Sequence, residues 1–272
     1  MAEFDHYLEG GYDPYRLELY WFTKDILESE PDLGQRKIWL HSRWYEDHHY
    51  DEWLDAAREV DARMSFCFLG RDVRYRRNVI RRMVDEGHEV GTHGFLHYLV
   101  DDTTTRTDLR ADLQACVDEL GDLGVRPRGL WIGAKGYLNP DAALALVDVG
   151  IDWFSSVRPH DQSELPGGLT WVPAKAPHDV EMLFYHPRPA AEAVEVWKRG
   201  YDADPGGAFM FHLFTLTMLD GGTNMDAWKE LMLHTGGSVP VAEKLDTATT
   251  RPSIVSDASL HLAMGRAHKT PD

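Results

Sequence analysis

From residue 37 onward the chain alternates short apolar runs with stretches of helical spacing. "KIWLH" reads as a strand, and "YDEWLDAAREVD" after it spaces its apolar residues three and four apart, as one face of a helix requires. "RMSFCFLG" is a second strand ending at glycine, and "RRNVIRRMVDEG" is a helix closed by glycine. "HEVGTH" is a third strand. "TRTDLRADLQACVDELGDLG" follows as an amphipathic helix with Leu109, Leu113, Cys116 and Leu120 on one side. "RGLWIGA" is a strand, "NPDAALALVDVG" a helix starting at Asn139 or Pro140, and "IDWFSSV" another strand. Two apolar runs, "GLTWVPA" and "VEMLFYH", precede the helix "AAEAVEVWKRGY". The strand "AFMFHLFTL" and the helix "NMDAWKELMLHTGG" close the series. Strands separated by helices of this size predict a parallel sheet or an α/β barrel.

The ends of the chain depart from this rhythm. Residues 1–35 are rich in Tyr, Asp and Glu and form an N-terminal extension, with "YRLELYWFTKDILES" as its helix. The barrel domain is placed at 36–249, and 250–272 is assigned to a C-terminal tail.

Composition narrows the partners. A chain of 272 residues suits one α/β domain with extensions, and 43% apolar content with nine tryptophans supplies a packed core. The formal charge of −17 excludes nucleic acid and anionic membrane surfaces as partners, because both would be repelled. The N-terminus lacks a basic segment followed by an apolar one, and no run reaches membrane-spanning length, so a soluble cytoplasmic protein is expected. Cys67 and Cys116 make no disulfide framework and are expected in the core. A homodimer is the default assembly on symmetry grounds alone.

The candidate chemistry lies in "EVGTHGFLHY", where His93 and His97 stand four apart at the carboxyl end of a predicted strand. Two imidazoles so placed can share one ion if a third ligand arrives from elsewhere. The spacing alone is common by chance. The strand end is where α/β folds carry their chemistry.

The segment "VDEGHEVGTHGFLHY" resembles the second motif of polysaccharide deacetylases, the NodB homology domain of carbohydrate esterase family four. "RMSFCFLG", "RGLWIGAKGYLNPDAALALVDVGIDWFSSV", "GGAFMFHL" and "AWKELMLHTGG" are similar, in order and spacing, to further segments of that family over residues 37 to 245. The resemblance implies a deformed (β/α) barrel of about seven parallel strands. It implies a divalent metal, most commonly zinc, on His93 and His97, with His212 as general acid to the leaving amine.

The first motif departs from the family. Where an aspartate pair is expected, "IWLHSRWYED" offers His41, Ser42 and Arg43. Where the third motif expects arginine, Ile132 stands, with Lys135 the nearby cation. Three readings stay open. His41 completes a three-histidine site, Glu46 or Asp47 bends back into it, or the site retains shape without catalysis. Asp47 is the candidate base, while Arg43 and Lys135 are candidates for charge at the oxyanion. Trp131 is a candidate for stacking on a sugar ring, and Asp161 for orienting His212. His160, His178 and His186 are loop residues near the pocket. The expected activity is hydrolysis of an N-acyl C–N bond in an N-acylated sugar or small amide. The alternative is an inactive domain that binds a saccharide or a protein partner.

Overall fold

The computed structural model describes residues 48–95, 100, 103–132, 137–175, 177–217, 222–249 and 251–258. The N-terminal extension and the "KIWLH" run lie outside the described residues. Seven strands form one sheet: β1 (Ser65–Phe68), β2 (Glu89–Thr92), β3 (Gly129–Trp131), β4 (Trp153–Ser156), β5 (Thr170–Pro173), β6 (Ala208–His212) and β7 (Ser253–Asp257). Their order is β5-β4-β3-β2-β1-β7-β6, and every pairing is parallel. The edges β5 and β6 meet through one bridge, Ala174 to Ala208, where the Lys175 N–H donates to the Ala208 carbonyl at 2.8 Å. The result is a nearly closed, deformed (β/α) barrel of seven strands, as the resemblance implies.

Alternation along the strands separates the inside of the barrel from its outer shell. Cys67, Trp131, Trp153, Val172, Ala208, Met210 and Val255 form one buried cluster that fills the interior. Their strand neighbours, such as Phe66, Phe209, Phe211 and Ile254, pack outward against the helices. Gly129 owes its identity to this packing. A Cβ there would fall 1.9 Å from the Trp153 ring, so only glycine lets that indole cross the barrel. The opposite end of the barrel from the strand termini is closed by Glu89. Its carboxylate accepts from the Ser65 hydroxyl at 2.5 Å, the Trp153 Nε1–H at 2.9 Å and the Ala242 N–H at 3.1 Å.

Helices cover the barrel where periodicity places them. In α1 (His48–Glu59), Trp53 meets Phe66 edge-on, with ring centroids 5.3 Å apart. After α2 (Gly70–Val73) and α3 (Arg77–Asp85) comes α4 (Arg106–Gly121), which buries Leu109, Leu113, Cys116 and Leu120 as its spacing predicts. Both cysteines are buried and neither is in a disulfide. Asn139 caps α5 (Pro140–Asp148) by accepting the Ala142 N–H at 2.8 Å, with Pro140 opening the helix. No helix among the described residues is long and apolar enough to cross a membrane.

Two stretches differ from the reading of the sequence. Ser253–Asp257, beyond the boundary drawn at 249, is a strand inside the sheet, hydrogen-bonded between β1 and β6. The Tyr50 hydroxyl of α1 donates to the Ala258 carbonyl at 2.7 Å, fastening the end of that strand. The "AFMFHLFTL" run is a strand only as far as His212, where α6 (Ala190–Ala203) has been passed and α7 (Leu213–Thr217) begins. A π-helical segment at Val180–Tyr185 occupies the "VEMLFYH" run.

Candidate active site

His93 follows directly on β2, at the C-terminal face of the barrel. Its backbone N–H donates to the Phe68 carbonyl at 2.8 Å, extending the β1–β2 ladder by one residue. The chain then turns at Gly94, whose φ of +83° is open to glycine. A Cβ on Gly94 would also meet Asp112 Oδ2 at 2.5 Å, an oxygen that already accepts the Phe95 N–H at 2.8 Å. The glycine in this histidine motif is therefore a geometric requirement.

The imidazole of His93 is 5% exposed, and its Nδ1 stands 2.5 Å from the Trp131 carbonyl oxygen. A carbonyl only accepts, so Nδ1 carries the proton and Nε2 keeps the lone pair. Histidines that bind metals characteristically donate the other ring N–H to a carbonyl or carboxylate, which fixes tautomer and orientation. The donor chemistry of His93 thus fits a cation. Trp131 itself is buried, 2% exposed, within the inner cluster, and its carbonyl is what reaches His93.

His212 ends β6 at the same face. Asp179 holds it twice: Oδ2 accepts the His212 backbone N–H at 2.5 Å, and Oδ1 accepts the ring Nδ1–H at 2.9 Å. The Thr215 hydroxyl donates to Oδ2 as well. Asp179 is fully buried, so three donors meet a carboxylate that has no water to turn to. The ring tautomer again leaves Nε2 as the outward-working nitrogen.

Sequence reading placed Asp161 as the carboxylate beside His212, and the structure assigns that place to Asp179. Asp161 instead caps the short 3-10 turn Gln162–Glu164, accepting the Ser163 N–H at 2.8 Å. Both acids lie in polar stretches between β4 and α6, and the local pattern does not separate them. The available signal was the pair His178-Asp179 immediately ahead of an apolar run.

The other histidines divide. His178 is buried, 6% exposed, and neither ring nitrogen has a hydrogen-bond partner among the described residues. Burial pushes its pKa down, against the opposing influence of Asp179 and Glu181. His160 stacks on Tyr137 at 5.2 Å and accepts the Leu138 N–H at Nε2, a packing role; burial lowers its pKa too. His186 is exposed after the π-helical segment. His41, Arg43, Asp47, His97 and Lys135 lie outside the described residues. Among the described residues, no group of three or more His, Cys, Asp or Glu is placed to hold a metal ion.

Residues 40–154 match the polysaccharide deacetylase family model. An uncharacterised 30.6 kDa protein of Geobacillus stearothermophilus is 31% identical over 134 residues, which are 43% of this chain and 50% of the relative. The match thus spans about half the length of that curated relative. A Mycobacterium smegmatis structure assigned as a polysaccharide deacetylase shares the fold with a TM-score of 0.62 and 20% identity, covering 81% of this chain and 84% of the other. A mutant of BA3943, described as a pseudoenzyme of carbohydrate esterase family four with restored activity, from Bacillus anthracis, gives a TM-score of 0.52 at 16% identity, covering 74% and 63%. Residues 40–154 thus resemble the polysaccharide deacetylase family, and the seven-stranded barrel shares the fold of these two structures.

Proposed function

We propose that this protein is a metal-dependent hydrolase of a C–N bond, removing an acyl group from an N-acylated amino sugar or a similar small amide. The observation that carries this reading is the His212–Asp179 pair, set at the same barrel face as His93.

His93 through Nε2, with His97 from the same motif, would hold the ion, zinc by the chemistry of its imidazole donors. Such an ion polarises the carbonyl and acidifies water at neutral pH. The chain's own residues supply the rest. Asp179 takes the Nδ1–H of His212, fixing the ring so that Nε2, when protonated, can deliver its proton to the departing nitrogen. Thr215 and the His212 backbone N–H keep the Asp179 oxygens from swinging away. Burial of His93 keeps bulk water from competing for its ring.

The test is acyl release from a panel of N-acetylated amino sugars, with zinc supplied, by the parent protein and by His212→Ala. Loss of a positioned general acid lowers the rate about 10²–10⁴-fold. Zinc content should stay the same in the variant. A pseudoenzyme shares this fold, so the competing outcome is concrete. A zinc-loaded protein that binds saccharides and cleaves none is an inactive binding domain.

A further inference from the structure

The barrel closes where the chain leaves β5 and passes alongside β6. Two anchors fix this passage. The Lys175 N–H donates to the carbonyl of Ala208, which opens β6. Asp179 accepts both the backbone N–H and the ring Nδ1–H of His212, which ends it. His178 is the last residue before Asp179, so it arrives at the candidate general acid together with the carboxylate that holds it.

The main chain around His178 is tied down. Its N–H donates to Glu181 Oε2 at 3.3 Å, and its carbonyl accepts the Met182 N–H at 3.2 Å. The preceding carbonyl, of Pro177, accepts the Trp197 Nε1–H at 3.1 Å. The ring is different. It is buried, and neither Nδ1 nor Nε2 has a hydrogen-bond partner among the described residues. His88 and His93 are buried too, yet each ring is partnered, by the Met64 N–H and the Trp131 carbonyl. A buried polar atom left unpaired bears its full desolvation penalty, and such atoms are rare in native folds. Leucine or phenylalanine would fill the same space without that penalty. The chain therefore keeps an imidazole where packing alone favours an apolar side chain.

The chemistry of the ring indicates what it awaits. Burial pushes its pKa down, and charge on His212 pushes the same way, against Asp179 and Glu181. The two rings are thus within electrostatic reach of each other. A neutral imidazole offers one N–H donor and one acceptor nitrogen. A hydroxyl, which also donates and accepts, is its matching partner. In an N-acylated amino sugar, hydroxyls stand on carbons next to the one that carries the acylated nitrogen. His212 addresses that nitrogen, so a ring beside it meets the neighbouring hydroxyl. A simple amide has none to offer.

We propose that His178 is a substrate-binding group that hydrogen-bonds a hydroxyl on the carbon next to the one bearing the acylated nitrogen. This rests on the metal-dependent hydrolase reading and narrows its substrate to N-acylated amino sugars in preference to plain amides. A bound sugar satisfies the buried ring. An analogue without the hydroxyl leaves it unpaired in the complex, which is how a site built for a hydroxyl rejects its deoxy counterpart.

The experiment compares kcat/KM, with zinc supplied, for an N-acetylated amino sugar and for the same sugar with that hydroxyl replaced by hydrogen. The parent protein should prefer the hydroxylated sugar by about 10–100-fold, the effect of one buried nitrogen left unpaired. In His178→Phe the preference should fall toward unity, mainly through a raised KM for the hydroxylated sugar. His178→Gln, which keeps a donor and an acceptor, should retain part of it. Thermal melts of His178→Phe should match or exceed those of the parent, because the variant buries no unpaired nitrogen. A parent that cleaves both sugars equally well overturns the assignment without recourse to any variant. A folded His178→Phe that keeps the parent's preference overturns it as well, and in both cases the hydrolase reading stands. A parent that cleaves no N-acetylated amino sugar overturns both.

Discussion

Asp179 and His212 are joined twice, through the backbone N–H at 2.5 Å and through ring Nδ1 at 2.9 Å. A single contact would only bias the ring; two contacts from one carboxylate fix the strand end and the imidazole together.

Asp179→Asn keeps the shape and removes the charge. The expected result is a fall in kcat of about 10²–10⁴-fold, with KM little changed, as for a group that acts on the proton donor. Steady-state kinetics of parent and variant on one substrate, with kcat and KM separated, check this.

His88 governs acid stability. Its Nδ1 accepts the Met64 N–H at 3.1 Å, its ring lies edge-on to Phe66, and burial pushes its pKa from the ordinary 6.5 down to about 4. Between those two values the unfolded chain binds a proton that the folded chain refuses. Stability is therefore full above 6.5 and is lost as the pH falls toward 4, by about 3 kcal/mol for this group. His88→Gln can still accept from Met64 and does not titrate, so urea unfolding across this range should show a flatter pH dependence in the variant.

Gly129→Ala puts a methyl group where the Trp153 ring lies, 1.9 Å from its nearest carbon. Overpacking of this kind costs about 1–3 kcal/mol, and here the indole cannot retreat without losing its bond to Glu89. Thermal unfolding should shift down by several degrees, as expected for about that loss in a domain of this size. Near-ultraviolet circular dichroism should report a moved Trp153.

Much of the barrel was legible because its elements are locally patterned. The four apolar positions of α4 and the Asn139 cap of α5 need no knowledge of the rest of the fold. His93 was legible for the same reason, as a histidine at a strand end behind a glycine-bearing run. Strand β7 was not, because Ile254 and Val255 are its only strongly apolar residues, and its neighbours β1 and β6 are both remote in sequence. Asp179 was missed because the pair His178-Asp179 ahead of an apolar run does not by itself indicate that the loop returns to a strand thirty-three residues later. Loop acids acquire roles through the path of the chain, which periodicity does not encode. Trp131 illustrates a different gap: the backbone carbonyl serves His93, and side-chain reasoning has no view of it.

The most direct measurement of the central claim is acetate release from N-acetylated amino sugars by chelator-stripped protein as zinc is added back. Activity is expected to rise in proportion to zinc, to level off at one equivalent, and to be absent in His93→Ala. Hydrolysis that ignores zinc, or a zinc-saturated protein that releases nothing from any substrate offered, would contradict the account.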